Sequence, residues 1–428
     1  WFAQSKAWSL YHQRIQHYLQ KGTIQAQVLS YMGDQLPLVF DNNLSFWPYY
    51  IKNLPINQDI LINKLSVENN KLKFRNNQFE AIYLPKNISI TYQTLLRINE
   101  MLEKGVLVIG TKPRLIFSMQ DNESDKKAAN AMLNTLWDEK NYIKNLIKSD
   151  DLQQNVGQLI PEAIKFNTPS DTLLYTHRAT DKEDIFFVQN PKNKVNTSKM
   201  AFKTNKLYSY MLNPINGDVS TLLGIPKGDY FSVSPAFKAF QSVIILFTDE
   251  KIVDISNTIK IAHKPLEIQK MSVNLNLNST KIQKNLNFDY LPDITQSYGS
   301  DVKYFSGTME YSIVFTVGGL AQKKDNYSLN IGNIAAMASL TLNGVDLGQL
   351  WTPNEDLFIG NNIKNVNELK IKVATTWRNR IIGDYELYKS LKNIWTTHSN
   401  ISNFLNEQKP LRFSGIEKIE INQQTKSQ

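Results

Sequence analysis

The chain of 428 residues contains no cysteine. This absence excludes disulfide bonds, thiolate metal ligands and a cysteine nucleophile. The chain also lacks a continuous apolar run near the roughly 20 residues that cross a bilayer, so we expect no membrane-spanning helix. Because cytosolic and envelope proteins can both lack thiols, the cysteine count leaves the compartment open.

An initiating methionine and a leader are also missing from this sequence. It begins at Trp1, with no basic segment followed by an apolar one. A secretory signal peptide has that pattern and is removed from the mature protein. We therefore expect the sequence to be part of a longer protein.

The positive charge of the chain is not concentrated in one stretch of sequence. The formal net charge is +9, but the lysines are scattered through predicted strands and loops. A nucleic-acid surface needs clustered Lys and Arg, interleaved with aromatic side chains. We expect these basic residues to form solvated surface and predict no nucleic-acid partner.

The common catalytic sequence motifs are absent as well. There is no glycine-rich phosphate loop, His-Glu-x-x-His, Gly-x-Ser-x-Gly or dinucleotide fingerprint. Without such glycines the backbone does not approach a pyrophosphate closely, so a nucleotide-binding role is disfavoured. Glycoside hydrolysis needs a pair of carboxylates, but nothing in the sequence selects a pair from its 39 acidic residues. The catalytic residues are therefore unknown at this stage, and no metal site is predicted.

The signals that are present favour about three domains, at roughly 150 residues per domain. Apolar residues at helical spacing predict a helix over 5–21. The fully apolar run 106–110, which follows a predicted helix over 91–104, indicates a parallel strand. Together with a strand near 79–85, this order predicts a βαβ unit. We therefore expect an α/β layer domain over 23–165.

Beyond residue 165 the signals change to short strands. Residues 166–250 are predicted to form a β-rich domain, and residues 251–428 a β-sandwich. Asn343-Gly344 between two alternating runs predicts a type I′ hairpin, because both central residues need positive φ. The edges of 251–300 are weakly marked, and the tail 422–428 is expected to be frayed. Individual strands of the β-rich domain are predicted over 171–176, 184–189, 201–208 and 243–247.

Two groups of residues are candidates for binding. His177 and Arg178 end a predicted strand before an acidic loop, where they could contact a sugar hydroxyl, face a domain seam or join a loop salt-bridge network. Aromatic rings stack on the apolar faces of sugars, while Arg, Asn and Asp bind hydroxyl groups. The second group consists of Trp351, Trp377, Asn379, Arg380 and Asp384. For this second group, the alternative to sugar binding is that its tryptophans belong to the core and the arginines fix a domain interface.

These residues carry a resemblance to a known family. Residues 305–308, 342–344, 350–353 and 376–384 resemble the C-terminal, galactose-binding-like β-sandwich of the α-L-rhamnosidases of glycoside hydrolase family 106. That sandwich is itself similar to the sugar-binding domain of glycoside hydrolase family 2. The resemblance to the family covers most of the chain, although residues 191–300 have diverged from the family pattern. The upstream matches, in the same order as in the family, lie at 14–22, 28–33, 83–85, 105–113 and 177–190.

The resemblance implies an α+β multidomain fold. It would consist of a small flavodoxin- or amidotransferase-like α/β layer domain followed by β-sandwich domains, the last a galactose-binding-like jelly roll. It also implies a secreted or periplasmic enzyme that removes terminal α-L-rhamnose from glycans. Family members use two glutamates in a (β/α)8 barrel, with inversion, and require calcium.

In that family the barrel precedes the segment that resembles residues 1–22. The resemblance therefore implies that these residues form a helix trailing a missing catalytic barrel. The chain would be the accessory C-terminal half of the enzyme, inactive alone, with the barrel and a rhamnose-containing glycan as its partners. No cofactor is identifiable in the chain itself. The alternative function is that of a non-catalytic carbohydrate-binding module.

Overall fold

The computed structural model describes residues 2–36, 51–119, 121–148, 159–167, 173–252, 261–279, 281–296, 298–318, 326–392 and 410–426. Within these ranges the chain is mostly β-structure with few helices, arranged in several sheets. No helix in these ranges is long and apolar enough to cross a membrane.

The first third of the chain holds most of the helical structure. Helix α1 (Lys6–Leu19) follows a short 3-10 turn at Phe2–Gln4, and confirms the helix predicted over 5–21. Helices α2 (Tyr92–Glu103) and α3 (Glu123–Trp137) come later, and a π-helical turn lies at Ile60–Lys64. The strands of this third are β1 (Thr23–Ile24), β2 (Val28–Tyr31), β3 (Asn53–Ile56), β4 (Ser66–Glu68), β5 (Lys71–Phe74), β6 (Asn77–Phe79), β7 (Ala81–Leu84), β8 (Ser89–Ile90), β9 (Leu107–Gly110), β10 (Arg114–Leu115) and β11 (Leu146–Ile147).

A five-stranded parallel sheet forms the centre of this third, in the order β11-β9-β7-β2-β3. Strands β7 and β9 pair in parallel with α2 between them, which confirms the predicted βαβ unit. Leu95, Ile98 and Met101 of α2 are fully buried against the sheet. Burial on both faces explains why these strands are continuous apolar runs.

The second unit is built from two antiparallel sheets that share one core. Their orders are β1-β13-β14-β20-β16-β17 and β12-β15-β19-β18. Phe186, Phe202 and Phe247 meet at the centre of this core. Its strands are β12 (Ile164–Phe166), β13 (Leu174–Ala179), β14 (Glu183–Gln189), β15 (Met200–Lys203), β16 (Tyr208–Leu212), β17 (Val219–Thr221), β18 (Gly224–Lys227), β19 (Tyr230–Val233) and β20 (Ser242–Thr248).

Two strand predictions in this unit need correction. The single strand predicted over 201–208 is two strands, β15 and β16, which lie in different sheets. The strand predicted over 171–176 begins at Leu174, and residues 171–172 lie outside the described ranges. The strands predicted over 184–189 and 243–247 are confirmed as β14 and β20.

The N-terminal residues pack on this second unit rather than on the parallel sheet. Strand β1 pairs antiparallel with β13, so the parallel sheet is an insertion between two neighbouring strands. Ile15 of α1 is buried against Phe187 and Leu246 on the outer face of the six-stranded sheet. The domain boundaries at 22, 165 and 250 remain a prediction.

The third unit consists of a four-stranded and a six-stranded sheet around the largest core cluster, with the orders β21-β30-β25-β28 and β23-β22-β24-β29-β26-β27. It also contains the short helix α4 (Ser300–Lys303) and helix α5 (Arg378–Tyr388). Its strands are β21 (Ile261–Leu266), β22 (Ile268–Asn278), β23 (Gln283–Phe288), β24 (Thr308–Val317), β25 (Asn326–Asn330), β26 (Met337–Leu342), β27 (Val345–Leu350), β28 (Asp356–Gly360), β29 (Val366–Ala374) and β30 (Glu420–Lys426).

The predicted hairpin of this unit is confirmed. Asn343 and Gly344 have φ of 51° and 85° and join β26 to β27, as a type I′ turn requires. The expectation of a frayed tail is wrong for residues 422–426, which belong to β30 and pair with both β21 and β25. Residues 427–428 lie outside the described ranges.

Candidate functional site

The aromatic and basic run at 377–384 follows the end of strand β29 at Ala374 and forms the N-cap and first turns of helix α5. Arg380 and Asp384 lie one helical turn apart on its buried side. Nε and Nη2 of Arg380 donate to one carboxylate oxygen of Asp384 at 3.0 and 2.9 Å. The other oxygen accepts the backbone N–H of Lys392 at 3.0 Å. Since Asp384 has no exposed surface, the two residues form a buried ion pair.

The two residues before this pair fix a neighbouring segment of chain. The side-chain amide of Asn379 donates to the carbonyl of Arg412 at 2.7 Å and accepts its backbone N–H at 2.9 Å. Arg378 donates to the carbonyl of Pro410 at 3.1 Å. These bonds attach the segment that leads into β30 to helix α5. Asn379, Arg380 and Asp384 therefore make contacts that hold the fold.

Gly383 allows helix α5 to approach the sandwich closely. A Cβ atom at this position would lie 2.2 Å from Cγ of Tyr304, far inside van der Waals contact. The Tyr304 hydroxyl donates to Glu386 one turn further along the helix. Burial, followed by this hydrogen bond, raises the pKa of Tyr304 above its usual range. The packing of helix α5 against the sandwich thus explains the Ile-Gly-Asp sequence at residues 382–384.

Trp377 differs from its neighbours because its side chain is 56% exposed. The alternative that this tryptophan belongs to the core is therefore wrong. Arg378 and the exposed Arg412 lie close to each other, and burial together with Arg412 lowers the pKa of Arg378. Trp377 directly precedes Arg378 in the chain, and an exposed indole is chemically suited to stack on a sugar ring. Sequence reasoning missed Arg412 because it follows Asp384, the last residue of the run, by 28 residues.

Trp351 lies at a seam between the second and third units and helix α1. Its ring is 5.7 Å from that of Tyr11, at an interplanar angle of 70°. The Tyr11 hydroxyl is 2.6 Å from Oγ of Ser242, the first residue of β20. Just before α1, Gln4 donates to the carbonyl of Lys372 at 2.8 Å. Helix α1 therefore connects both β-units, and Trp351 is one of its contacts.

A second seam contact joins the same two units through charged groups. Lys238, which precedes β20, lies 2.8 Å from a carboxylate oxygen of Asp356 and 4.0 Å from Glu355. Asn330 donates to the other oxygen of Asp356 at 2.8 Å. Burial raises the pKa of Glu355; Lys238 opposes this effect, and Asp356 adds to it. This cluster was not found from sequence, because its members come from segments about a hundred residues apart.

His177 and Asp184 are brought together by the β13–β14 hairpin. Nε2 of His177 is 3.3 Å from Oδ1 of Asp184, and Thr204 donates to Oδ2 at 2.7 Å. The imidazole stacks on Phe186 with ring centroids 3.9 Å apart. Nδ1 of His177 has no hydrogen-bond partner among the described residues. The histidine is buried, so it faces the core of the second unit rather than an open cleft.

Arg178 points to the opposite side of the same strand and binds the turn that follows helix α1. It donates from Nε to the carbonyl of Lys21 and from Nη2 to that of Gly22, both at 2.7 Å. Arg178 therefore fixes the end of α1 to the hairpin, and it does not contact His177's partner Asp184.

The described ranges hold no group of three or more His, Asp or Glu side chains placed to bind one metal ion. The calcium requirement that the resemblance implies stays a prediction.

The arrangement of these units matches that of a solved glycoside hydrolase. A rhamnosidase from Novosphingobium sp. PP1Y aligns with 97% of this chain at a TM-score of 0.69 and 22% sequence identity. The alignment covers 41% of that rhamnosidase. At this identity the likeness shows a shared fold.

Sequence comparison establishes the family. The model of the glycoside hydrolase 106 family, described as alpha-L-rhamnosidase, matches residues 1–223, just over half of the 428 residues. The chain therefore belongs to the glycoside hydrolase 106 family. A curated protein of Formosa agariphila named "Putative beta-glucuronidase" is 30% identical over 210 residues, which are 48% of this chain and 17% of that protein. The chain thus spans less than half of the length of either relative.

Proposed function

We propose that this chain is the accessory C-terminal half of a glycoside hydrolase that acts on the terminal α-L-rhamnose of glycans. The catalytic (β/α)8 barrel and its paired glutamates would be supplied by sequence outside the 428 residues. One observation carries the proposal: nearly the whole chain shares its fold with a rhamnosidase, yet accounts for only 41% of it.

The described part of the structure is consistent with a non-catalytic role. Its main parallel sheet has five strands with open edges rather than eight strands in a closed ring. Two carboxylates near the candidate residues are engaged by neighbours: Asp384 by Arg380 and Lys392, and Asp184 by His177 and Thr204. A general acid or nucleophile needs to reach substrate instead.

In this proposal the parallel sheet is a flavodoxin-like layer domain that buttresses the barrel. Ligands of such sheets bind at the carboxyl ends of the strands, where the strand order reverses. Here that point lies between β2 and β7, and Asp34 accepts the backbone N–H of Thr91 at 2.7 Å and the hydroxyl of Thr94 at 2.8 Å. A carboxylate of the chain itself thus occupies the N-terminus of α2. This supports a structural rather than a nucleotide-binding role.

The third unit would be a galactose-binding-like jelly roll that closes over the barrel or docks glycan. We also propose a periplasmic or extracellular location, because glycoside hydrolases of this family act on external glycans. Calcium would belong to the longer enzyme.

The purified chain tests the accessory role directly. We expect no turnover of an aryl α-L-rhamnoside by residues 1–428, under conditions in which the Novosphingobium rhamnosidase is assayed in parallel. Sequencing upstream of Trp1 should find a continuous reading frame that encodes a barrel. Robust turnover by the chain alone, or a stop codon just upstream, would refute the proposal.

The alternative, a non-catalytic carbohydrate-binding module, is favoured by one observation, the exposed ring of Trp377. Trp351 and Arg380 contribute less to it, because Tyr11 and Asp384 already contact them. Calorimetric titration of the whole chain with a rhamnose-containing oligosaccharide tests this function. Trp377→Ala should weaken binding at least tenfold, whereas Phe358→Ala, at another exposed aromatic of the sandwich, should leave it unchanged. Equal affinity for wild type and Trp377→Ala would exclude a site at this residue.

A further inference from the structure

The outer face of the four-stranded sheet in the second unit is unlike the rest of the surface. Alternate residues of β12, β15 and β19, among them Ile164, Phe202 and Val233, point inward to the shared core. The residues between them point outward, because side chains alternate along a strand. One outward row is fixed by the strand register and runs Lys165, Ala201, Ser232, Ile225.

A depression of about 350 Å³ lies on this face. Ala201 and Ser232 are small, so they leave space between the longer side chains of Lys165, Lys199 and Ile225 that line it. Asn167 extends the pairing of β12 with β15 by one residue, since its backbone N–H donates to the carbonyl of Lys199 at 3.0 Å. The volume lies near the lower end of the roughly 300–1,000 Å³ of small-molecule sites.

The charge on this face has one sign. Lys165, Lys203 and Lys227 belong to the strands and Lys199 directly precedes β15, whereas the four strands contain no Asp or Glu. The lysines are distant in sequence, so only folding gathers them. Glu162 and Asp229 lie at the ends of the sheet, and burial raises the pKa of Glu162, an effect that Lys165 opposes. The two charged residues that line the depression, Lys165 and Lys199, are both basic.

We propose that this face binds a sugar residue that bears a carboxylate or a sulfate, within a glycan. That the ligand is a carbohydrate rests on the proposed function; that it is anionic rests on the lysines alone. Ammonium groups act as point charges toward either anion. Ser232, Ser234 and Asn167 line the same depression and offer hydrogen bonds to hydroxyls, and Ile225 offers an apolar surface to a ring face.

The geometry favours a glycan over a nucleic acid. Single-stranded nucleic acids bind through a positive groove together with aromatic rings on which bases stack. The aromatic ring on this face, that of Tyr230, is covered by the ammonium of Lys165 at 4.1 Å from its centroid. Tyr230 also donates its hydroxyl to the carbonyl of Glu162 at 2.9 Å, which fixes the ring. A base would have to displace the lysine to stack there.

Calorimetric titration of the whole chain tests the proposal, at low and at physiological salt. The ligands are an oligogalacturonide, the same oligosaccharide with its carboxyls methyl-esterified, a sulfated oligosaccharide of equal length, and a single-stranded oligonucleotide. We expect the anionic sugars to bind at least tenfold more tightly than the ester, and the comparison of carboxylate with sulfate to identify the preferred group. Lys165→Gln combined with Lys199→Gln should weaken this binding at least tenfold. Lys127→Gln with Lys140→Gln, which removes the same charge from exposed positions elsewhere, should change it less than twofold.

Three results would overturn the proposal: equal affinity for the acid and its ester, equal loss in the two double variants, or tighter binding of the oligonucleotide than of either anionic sugar. These results are independent of the rhamnoside assay. A chain that fails the accessory role but binds uronate through Lys165 and Lys199 keeps this site, and an accessory chain that binds no anionic sugar loses it.

Discussion

Asp384, which is fully buried, and Glu355, which is half-buried, are two acids of the third unit whose surroundings differ. Asp384 has its cation, Arg380, on the same helix and accepts a backbone N–H as well. Glu355 has Lys238 at 4.0 Å, contributed by the second unit, and shares that lysine with Asp356. A buried charge is tolerated when its partner is close and fully committed. The charge of Asp384 is therefore compensated within one unit, whereas compensation of the charge of Glu355 depends on contact between two units.

The largest effect is expected from Asp384→Asn. The amide would leave Arg380 buried without its counter-charge, a loss of about 3–5 kcal/mol. Urea unfolding, with hydrogen exchange of peptides from residues 304–392 as a local readout, measures it. Glu368→Gln, which breaks the exposed pair with Lys370, is the control and should cost less than about 1 kcal/mol. Equal stability of the two variants would contradict a structural role for the buried pair.

An intermediate effect is expected from Lys238→Met. It keeps most of the side-chain volume but removes the cation from two carboxylates, at a cost of about 1–3 kcal/mol. Because Lys238 spans the seam, exchange should rise in peptides on both sides, around 235–245 and 350–360. Lys264→Met, in strand β21, is the control. Protection lost on one side alone would show that the lysine does not couple the units.

The smallest effect, with the opposite sign, is expected from Glu355→Gln. Burial raises the pKa of Glu355 above its usual 4.5 in the folded state, so the folded chain binds more protons than the unfolded chain above that pH. Stability is therefore lost as pH rises through the window between the two pKa values. The amide removes this loss, and the variant should be more stable at pH 7.5 by up to about 1 kcal/mol. Unfolding midpoints from pH 4 to 8 measure it, and a variant less stable at pH 7.5 would show that the carboxylate is fully paired.

Local patterns predicted the elements that depend on local rules. The apolar run at 106–110 and the Asn343-Gly344 turn each have one physical explanation, and both are confirmed. Helix α5 was missed because, apart from Ile382, its buried residues are Asn379, Arg380, Gly383 and Asp384, which show no apolar helical spacing. Strand β22 was weakly marked because of its many asparagines. The alternation of Val273, Leu275 and Leu277 was a usable signal there.

The candidate residues were harder to interpret because their partners are remote in sequence. Arg178 contacts Lys21 and Gly22, more than 150 residues earlier, and Trp351 contacts Tyr11. A single sequence carries no trace of such pairs. For the same reason, the lysines of β12, β15 and β18 appeared scattered in sequence and became one face only in the fold.

The pairing of β1 with β13 has a consequence for synthesis on the ribosome. Residues 23–24 can pair only after residues 178–179 have been synthesised. The sheet that they join also needs β20, residues 242–248, which pairs with β14 and β16. The parallel sheet between them has all five of its strands by residue 147, and one of its faces is completed by Ile160 shortly afterwards. Domains generally fold as units while the chain emerges. The inserted unit should therefore become protease-resistant first, while helix α1 stays accessible until roughly 100 further residues have left the exit tunnel.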